Sequence, residues 1–233
     1  MAFNRVEEVQ DLVPLRRALV SVYDKDGLPR LIRGLALAAP GLEIYSTGGS
    51  YAAVAEVLAS LDPAPGQAPE PRLVAVSEYT GQPEMEGGLV KTLDWKIYLG
   101  LLAESGNAAH AADLERTGAV AFDLVVGDLY PFEAACRDPS SEPEVLRQRI
   151  DIGGPAMLRA AAKNYLRVAS VSSPGQYAGL LEELRVRGGH TSLDYRRRLA
   201  AAAFDRVSRF DRAVSSRLGA MTAEELKAGY RGL

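Results

Sequence analysis

Five short apolar runs, rich in β-branched residues, recur along the chain at 18–22, 42–45, 72–76, 122–127 and 167–171. Continuous apolar runs of this length fit strands buried on both faces. Between them the spacing turns helical. Leu28, Leu31, Ile32 and Leu35 form one apolar stripe, and Ala52, Val54, Ala55 and Leu58 belong to a second helix. Strand alternating with helix predicts an α/β fold, a parallel sheet joined by right-handed crossovers and flanked by helices. Residues 61–71 carry four prolines in eleven positions, which neither a helix nor an inner strand accepts, so they are read as a surface insertion within one domain. Segments 176–187 and 193–217 read as helices, the second capped at Thr191 or Ser192, with Leu199, Ala202, Ala203, Phe204 and Val207 as its packing stripe. A last short helix begins at Thr222, where Thr-Ala-Glu-Glu has the form of a capping box. The chain is thus expected to be a single domain over 1–233 with a C-terminal helical extension.

Composition narrows the chemistry. The single cysteine, Cys136, allows no internal disulfide and no cysteine metal cluster, and two histidines, His110 and His190, make a His-rich metal site or a Ser-His-Asp triad an unpromising reading. A net charge of −3 argues against a general nucleic-acid binder. No run of about 18 apolar residues is present, so no membrane span is expected. The first residues lack an apolar signal core, which points to a cytoplasmic protein.

Four segments can carry chemistry. Ser46-Thr47-Gly48-Gly49 follows the second strand and opens a helix. Small residues let backbone approach a ligand, and free N–H groups at the helix start attract an anion. Strand–Gly–helix turns are also common as plain connections. Ser21 and Lys25 follow the first strand, and in a parallel sheet both loops open at the carboxyl edge, where ligands bind. Residues 77–100 form a long polar segment holding Lys91 and Thr92, a cation and a hydroxyl suited to a polarised oxygen, or simply a loop covering the sheet edge. Asp128 and Tyr130 end the fourth strand. A tyrosine there is a proton donor or a half-buried anchor. In 150–164, Asp151 precedes Gly153, Gly154 and a helix that ends near Lys163. Asp151 is either a site carboxylate or a residue complementing the helix dipole.

Taken in order, 46–49, 77–85, 90–93, 129–132 and 150–164 closely resemble the IMP cyclohydrolase domain, the N-terminal part of bifunctional purine-biosynthesis proteins. The resemblance covers roughly 17–217. It implies a methylglyoxal-synthase-like fold with a Rossmann-like sheet. It also implies ring closure of a formylated aminoimidazole carboxamide ribonucleotide to IMP, in which the carboxamide nitrogen attacks the formyl carbon and water leaves, with no cofactor and no metal required. The implied partners are a nucleotide monophosphate substrate, a second copy of the chain in a homodimer, and a separate formyltransferase, because the family's formyltransferase domain has no counterpart here. By position, Ser21, Lys25, Ser46, Thr47, Gly48 and Gly49 match the phosphate end. Lys91 and Thr92 match the pair beside the reacting groups, with Gly153 and Gly154 approaching the ligand. Tyr130, Asp151 and Lys163 match the acid–base and electrostatic groups.

The resemblance also has departures. The family reads Arg-Val-Lys-Thr-Leu-His-Pro-Lys where this chain has Leu89, Asp94 and Trp95 in place of the Arg and the His-Pro pair. It has Asn where this chain has Asp128. With every group ionised, the presumed pocket changes by about −3 charges, large beside ordinary site electrostatics. An ionised Asp only accepts, so Asp128 suggests a ligand with an additional N–H or a cation, one version being a pyrazolopyrimidine C-nucleotide. Two further readings are a non-catalytic regulatory nucleotide-binding domain and a methylglyoxal synthase.

Overall fold

The computed structural model describes residues 6, 8–61, 70–82, 92–137 and 141–230. Five parallel strands form the central sheet: β2 (Arg17–Ser21), β3 (Glu43–Ser46), β4 (Arg72–Ala75), β5 (Leu124–Gly127) and β6 (Ala169–Val171). Their spatial order is β4-β3-β2-β5-β6. The chain winds outward from β2 to one edge, then crosses back to build the other half from β5. The reversal between β2 and β5 makes a crevice at the carboxyl ends of those two strands. All five apolar runs became strands, each within a few residues of its expected bounds.

Alternation along β2 explains the two helical layers. Ala18 and Val20 face one side and Leu19 the other, and all three are fully buried. On the first side lie α1 (Leu28–Ala38), α2 (Gly48–Ala59) and α9 (Tyr177–Val186). The stripe expected for α1 is the one buried: Leu28, Leu31, Ile32 and Leu35 are all at 0% exposure. On the second side lie α4 (Trp95–Leu102), α8 (Gly153–Lys163) and α10 (Leu193–Ala220). Gly100 permits the close seating of α4, since a Cβ there would stand 2.0 Å from the Val120 carbonyl oxygen.

Several elements were not foreseen. The segment 77–100, read as a loop, contains α3 (Val76–Thr80) and α4. Three more short helices are α5 (Ala108–Thr117), α6 (Phe132–Arg137) and α7 (Pro143–Gln148). A small antiparallel pair joins β1 (Leu12–Pro14) to β7 (His190–Ser192). Three-residue strands display no periodicity for a sequence to reveal. Ser192 caps α10 by accepting from the Tyr195 N–H, whereas Thr191 lies in β7. Along α10 the buried side chains are Arg196, Leu199, Ala200, Ala203, Val207 and Phe210. Phe204, expected in this stripe, is 40% exposed and lies under the Arg159 guanidinium at 5.6 Å. The capping box at Thr222 forms as read and starts α11 (Ala223–Gly229). Most of the Pro-rich insertion, 62–69, lies outside the described residues. Among the described residues, no helix is long and apolar enough to cross a membrane.

Candidate active site

Two clusters of side chains meet at the β2–β5 crevice. The first is built by the ends of β2 and β3. Ser21 Oγ and Thr47 Oγ1 are 2.9 Å apart, bridging the two loops. Thr47 is the N-cap of α2, yet its side chain does not cap the helix. Its carbonyl accepts from Ser50 and Tyr51, which leaves the Gly48 and Gly49 N–H groups at the free start of the helix. Gly48 has φ +41°, a left-handed conformation that favours glycine. Lys25 curls back so that Nζ donates to the Val22 and Tyr23 carbonyls at 2.5 and 2.9 Å, and it lies 4.0 Å from the place a Cβ would take on Gly49. A cation, two hydroxyls and a helix N-terminus thus converge in the form of an anion cradle.

Ser46, read as part of that cradle, is 1% exposed, and its hydroxyl donates to the Val20 carbonyl at 2.7 Å. It ties β3 to β2 instead of facing the crevice. Ser50, which sequence reasoning passed over, receives the Val22 N–H and donates to the Val22 carbonyl, both at 3.0 Å. Its only sequence signal is its place directly after the Gly-Gly pair.

The second cluster is built by the start of α8. Asp151 accepts the Gly154 N–H at 3.0 Å. Buried Thr92 approaches from the other side, with Oγ1 2.9 Å from the Cβ position on Gly153. The missing side chains of Gly153 and Gly154 are what let these groups close up. Burial pushes the Asp151 carboxyl above its ordinary value, the Gly154 and Gly153 N–H groups oppose this, and the Asp128 charge adds to the rise. A Cβ on Gly154 would stand 2.3 Å from Asp151 Oδ2. Gly154→Ala is therefore expected to displace this carboxylate and to lower turnover about tenfold or more. Thermal stability should hold, because alanine is the better helix former by about 1 kcal/mol. Paired kinetic and melting measurements check both halves.

Asp128, at the end of β5, links the clusters. Its two oxygens accept from the N–H groups of Tyr23 and Asp24, the latter at 2.9 Å. The carboxylate read as an acceptor for a ligand N–H is thus engaged by the loop after β2. Burial raises its pKa, the two backbone N–H groups lower it, and the charges of Asp24 and Lys25 act in opposite directions. Tyr130 follows, half exposed, with its ring centroid 5.0 Å from that of Tyr23.

Not every expected residue reaches the crevice. Lys163 is the exposed last residue of α8, whereas Asp151 precedes its first. Eleven residues at about 1.5 Å each put roughly 15 Å between the ends, so one chain does not bring this pair together. Lys91 and Leu89 lie outside the described residues. Asp94 caps α4 through the Lys96 N–H at 2.8 Å. Trp95 is 55% exposed and lines a separate groove of about 420 Å³ with Tyr98, Leu99, Leu102 and Leu114. Among the described residues, no group of three or more His, Cys, Asp or Glu side chains could hold a metal ion.

Fold and site together define a doubly wound α/β protein with an anion cradle and a partly buried carboxylate beside its switch point. The sequence profile of the family described as AICARFT/IMPCHase bienzyme matches residues 161–231. The bifunctional purine biosynthesis protein PurH of Mesorhizobium japonicum is 46% identical over 206 residues, which cover 88% of this chain and 35% of that protein. PurH of Dinoroseobacter shibae is 48% identical over 205 residues, covering 88% of this chain and 36% of the relative. The crystal structure of ForH superposes with a TM-score of 0.68 at 29% identity, covering 86% of this chain and 97% of that one. The chain belongs to the AICARFT/IMPCHase family and spans about a third of the length of these PurH relatives.

Proposed function

We propose that this domain is a cyclohydrolase that closes the pyrimidine ring of a purine-type nucleotide, with formylated aminoimidazole carboxamide ribonucleotide as the substrate to try first. The observation that carries the reading is the presence of two unlike clusters on one sheet edge. An anion cradle at Ser21, Lys25, Thr47, Gly48 and Gly49 suits a phosphate, and Asp151 with Thr92 suits the reacting end. The relatives' name, purine biosynthesis protein, agrees with it.

The reaction is intramolecular. The carboxamide nitrogen bonds to the formyl carbon and passes one proton to the former formyl oxygen by way of a base; the formamido N–H supplies the second proton, and as its nitrogen forms the ring C=N bond the C–O bond breaks and water leaves. No electron is exchanged. The protein's work is to hold the two groups in an attacking geometry and to stabilise the transient oxyanion. Asp151 takes the nitrogen proton, a task suited to a carboxyl whose basicity burial has raised. Thr92 and Lys91 donate to the developing oxyanion, and Tyr130 donates to the departing oxygen. Lys163 stands at the far end of α8 from Asp151, so within one chain it is not placed to share this proton transfer.

The added N–H acceptor that favoured a pyrazole analogue is engaged at Asp128 by Tyr23 and Asp24, so the imidazole substrate takes precedence. The test mixes purified protein with formylated aminoimidazole carboxamide ribonucleotide and follows IMP by absorbance. Saturable turnover supports the reading. Turnover only with the pyrazole analogue changes the ring. Nucleotide binding without turnover of either would replace the enzyme with a binding domain.

A further inference from the structure

We propose that Asp128 is a positioning residue for ring closure: by gripping the loop after β2 it sets the Tyr23 ring against Tyr130, and so fixes where the Tyr130 hydroxyl stands over the crevice. This rests on the cyclohydrolase reading only for the consequence in turnover, not for the structural link.

The grip is two-pronged. Asp128 is 8% exposed, and each of its oxygens takes one peptide N–H, from Tyr23 and from Asp24. A carboxylate presents two acceptors on one rigid plane, whereas an amide presents one acceptor and a donor. Alanine at this position would leave both N–H groups without their acceptor and release the loop. The rings of Tyr23 and Tyr130 are 47% and 43% exposed, so the core does not hold either one in place. They hold each other, with centroids 5.0 Å apart and planes tilted by 56°. The Tyr130 backbone is constrained separately: Pro131 follows it, and its carbonyl accepts the Phe132 N–H at 2.8 Å in a tight turn. What remains free at Tyr130 is the ring direction, and Tyr23 is the aromatic group against it among the described residues.

The same loop has a second, independent anchor. Buried Ser50 fastens Val22 through both its N–H and its carbonyl. Lys25 in turn donates to the Val22 and Tyr23 carbonyls. Ser50 therefore secures the phosphate side of the loop and Asp128 the tyrosine side. Loosening Asp128 should disturb kcat more than KM.

The experiment is a double-mutant cycle of Asp128→Ala and Tyr23→Ala, with kcat, KM and the tyrosine ring NMR signals recorded, Tyr130 being assigned with Tyr130→Phe. We expect each single variant to lose roughly tenfold or more in kcat with KM near wild type, and the double variant to be no slower than Tyr23→Ala alone. The Tyr130 ring signal should shift alike in both single variants, because both remove the Tyr23 ring current. Multiplying losses in the double variant, or a Tyr130 signal unchanged in Asp128→Ala, overturns the proposal. If the wild type turns over no formylated substrate, the cyclohydrolase reading fails. The NMR comparison then still decides the Asp128–Tyr23–Tyr130 link by itself.

Discussion

Arg196→Leu is expected to lower stability by about 3–5 kcal/mol, the scale seen when a buried charged group is removed from partners that stay behind. Arg196 is fully buried on α10. Its guanidinium makes five contacts to five backbone carbonyls. Nε donates to Tyr165, Nη1 to Asp11 and Thr191, and Nη2 to Gln10 and Leu166. Arginine has five N–H donors in a fixed fork, so the match is complete. Burial pulls its pKa down to about 10, with Asp11 and Glu183 pulling the other way, so it stays charged at neutral pH. The five carbonyls come from the segment ahead of β1, from β7 and from the α8–β6 connection. Leucine fills part of the volume but takes the donors away from those carbonyls, at about 1–3 kcal/mol for each one that water cannot reach. For a chain of this size the loss corresponds to a fall in Tm on the order of 10 °C. Lysine should rescue little, since three donors on one nitrogen cannot span the five acceptors. Thermal denaturation of the Leu and Lys variants checks both statements, and a Lys variant as stable as wild type would refute the fork argument.

Asp151→Asn is expected to separate activity from stability. Turnover should fall by about 10²–10⁴-fold, the usual contribution of a positioned general base. Asparagine retains an oxygen for the Gly154 N–H, so the start of α8 keeps its bond. Stability should move the other way. The Asp151 carboxyl is raised in the folded chain, chiefly by burial. The folded state therefore binds more protons than the unfolded state between the ordinary carboxylate pKa and the raised one. In that window stability falls as pH rises. Below it both states are protonated and the cost is absent; above it the cost is fully present. Asparagine resembles the protonated acid at every pH. The variant should match the wild type in strong acid and exceed it increasingly as pH rises through the window. Denaturant melts across pH test this. A variant less stable than wild type at neutral pH would mean that a cation outside the described residues compensates the Asp151 charge.

Much of this architecture was legible in one sequence, because the signals were periodic. Five β-branched runs and the Leu28–Leu35 stripe are statements about which face of an element is apolar, and burial obeyed them. The capping box at Thr222 was equally legible, since its partners lie three residues apart. The Ser21–Thr47 bridge was half legible: topology said that both loops open on one edge, and only the coordinates put the hydroxyls 2.9 Å apart. Ser46 shows the limit. It belongs to the same motif, yet the pleat turns it to the strand beside it.

What the sequence by itself determined is the five strands of the central sheet, the helices α1, α2, α8, α9, α10 and α11, and the residue types at the sheet's carboxyl edge, because local periodicity and turn chemistry are encoded within a few residues. What only the tertiary structure decided is which polar groups are already engaged. Asp128 holds a loop 104 residues away, and Arg196, one of three consecutive arginines, turns inward to carbonyls as far as 186 residues away. A hydrogen bond across such a separation leaves no period and no motif. It exists because buried backbone N–H and carbonyl groups must find partners, and the packed chain determines which side chain is within reach.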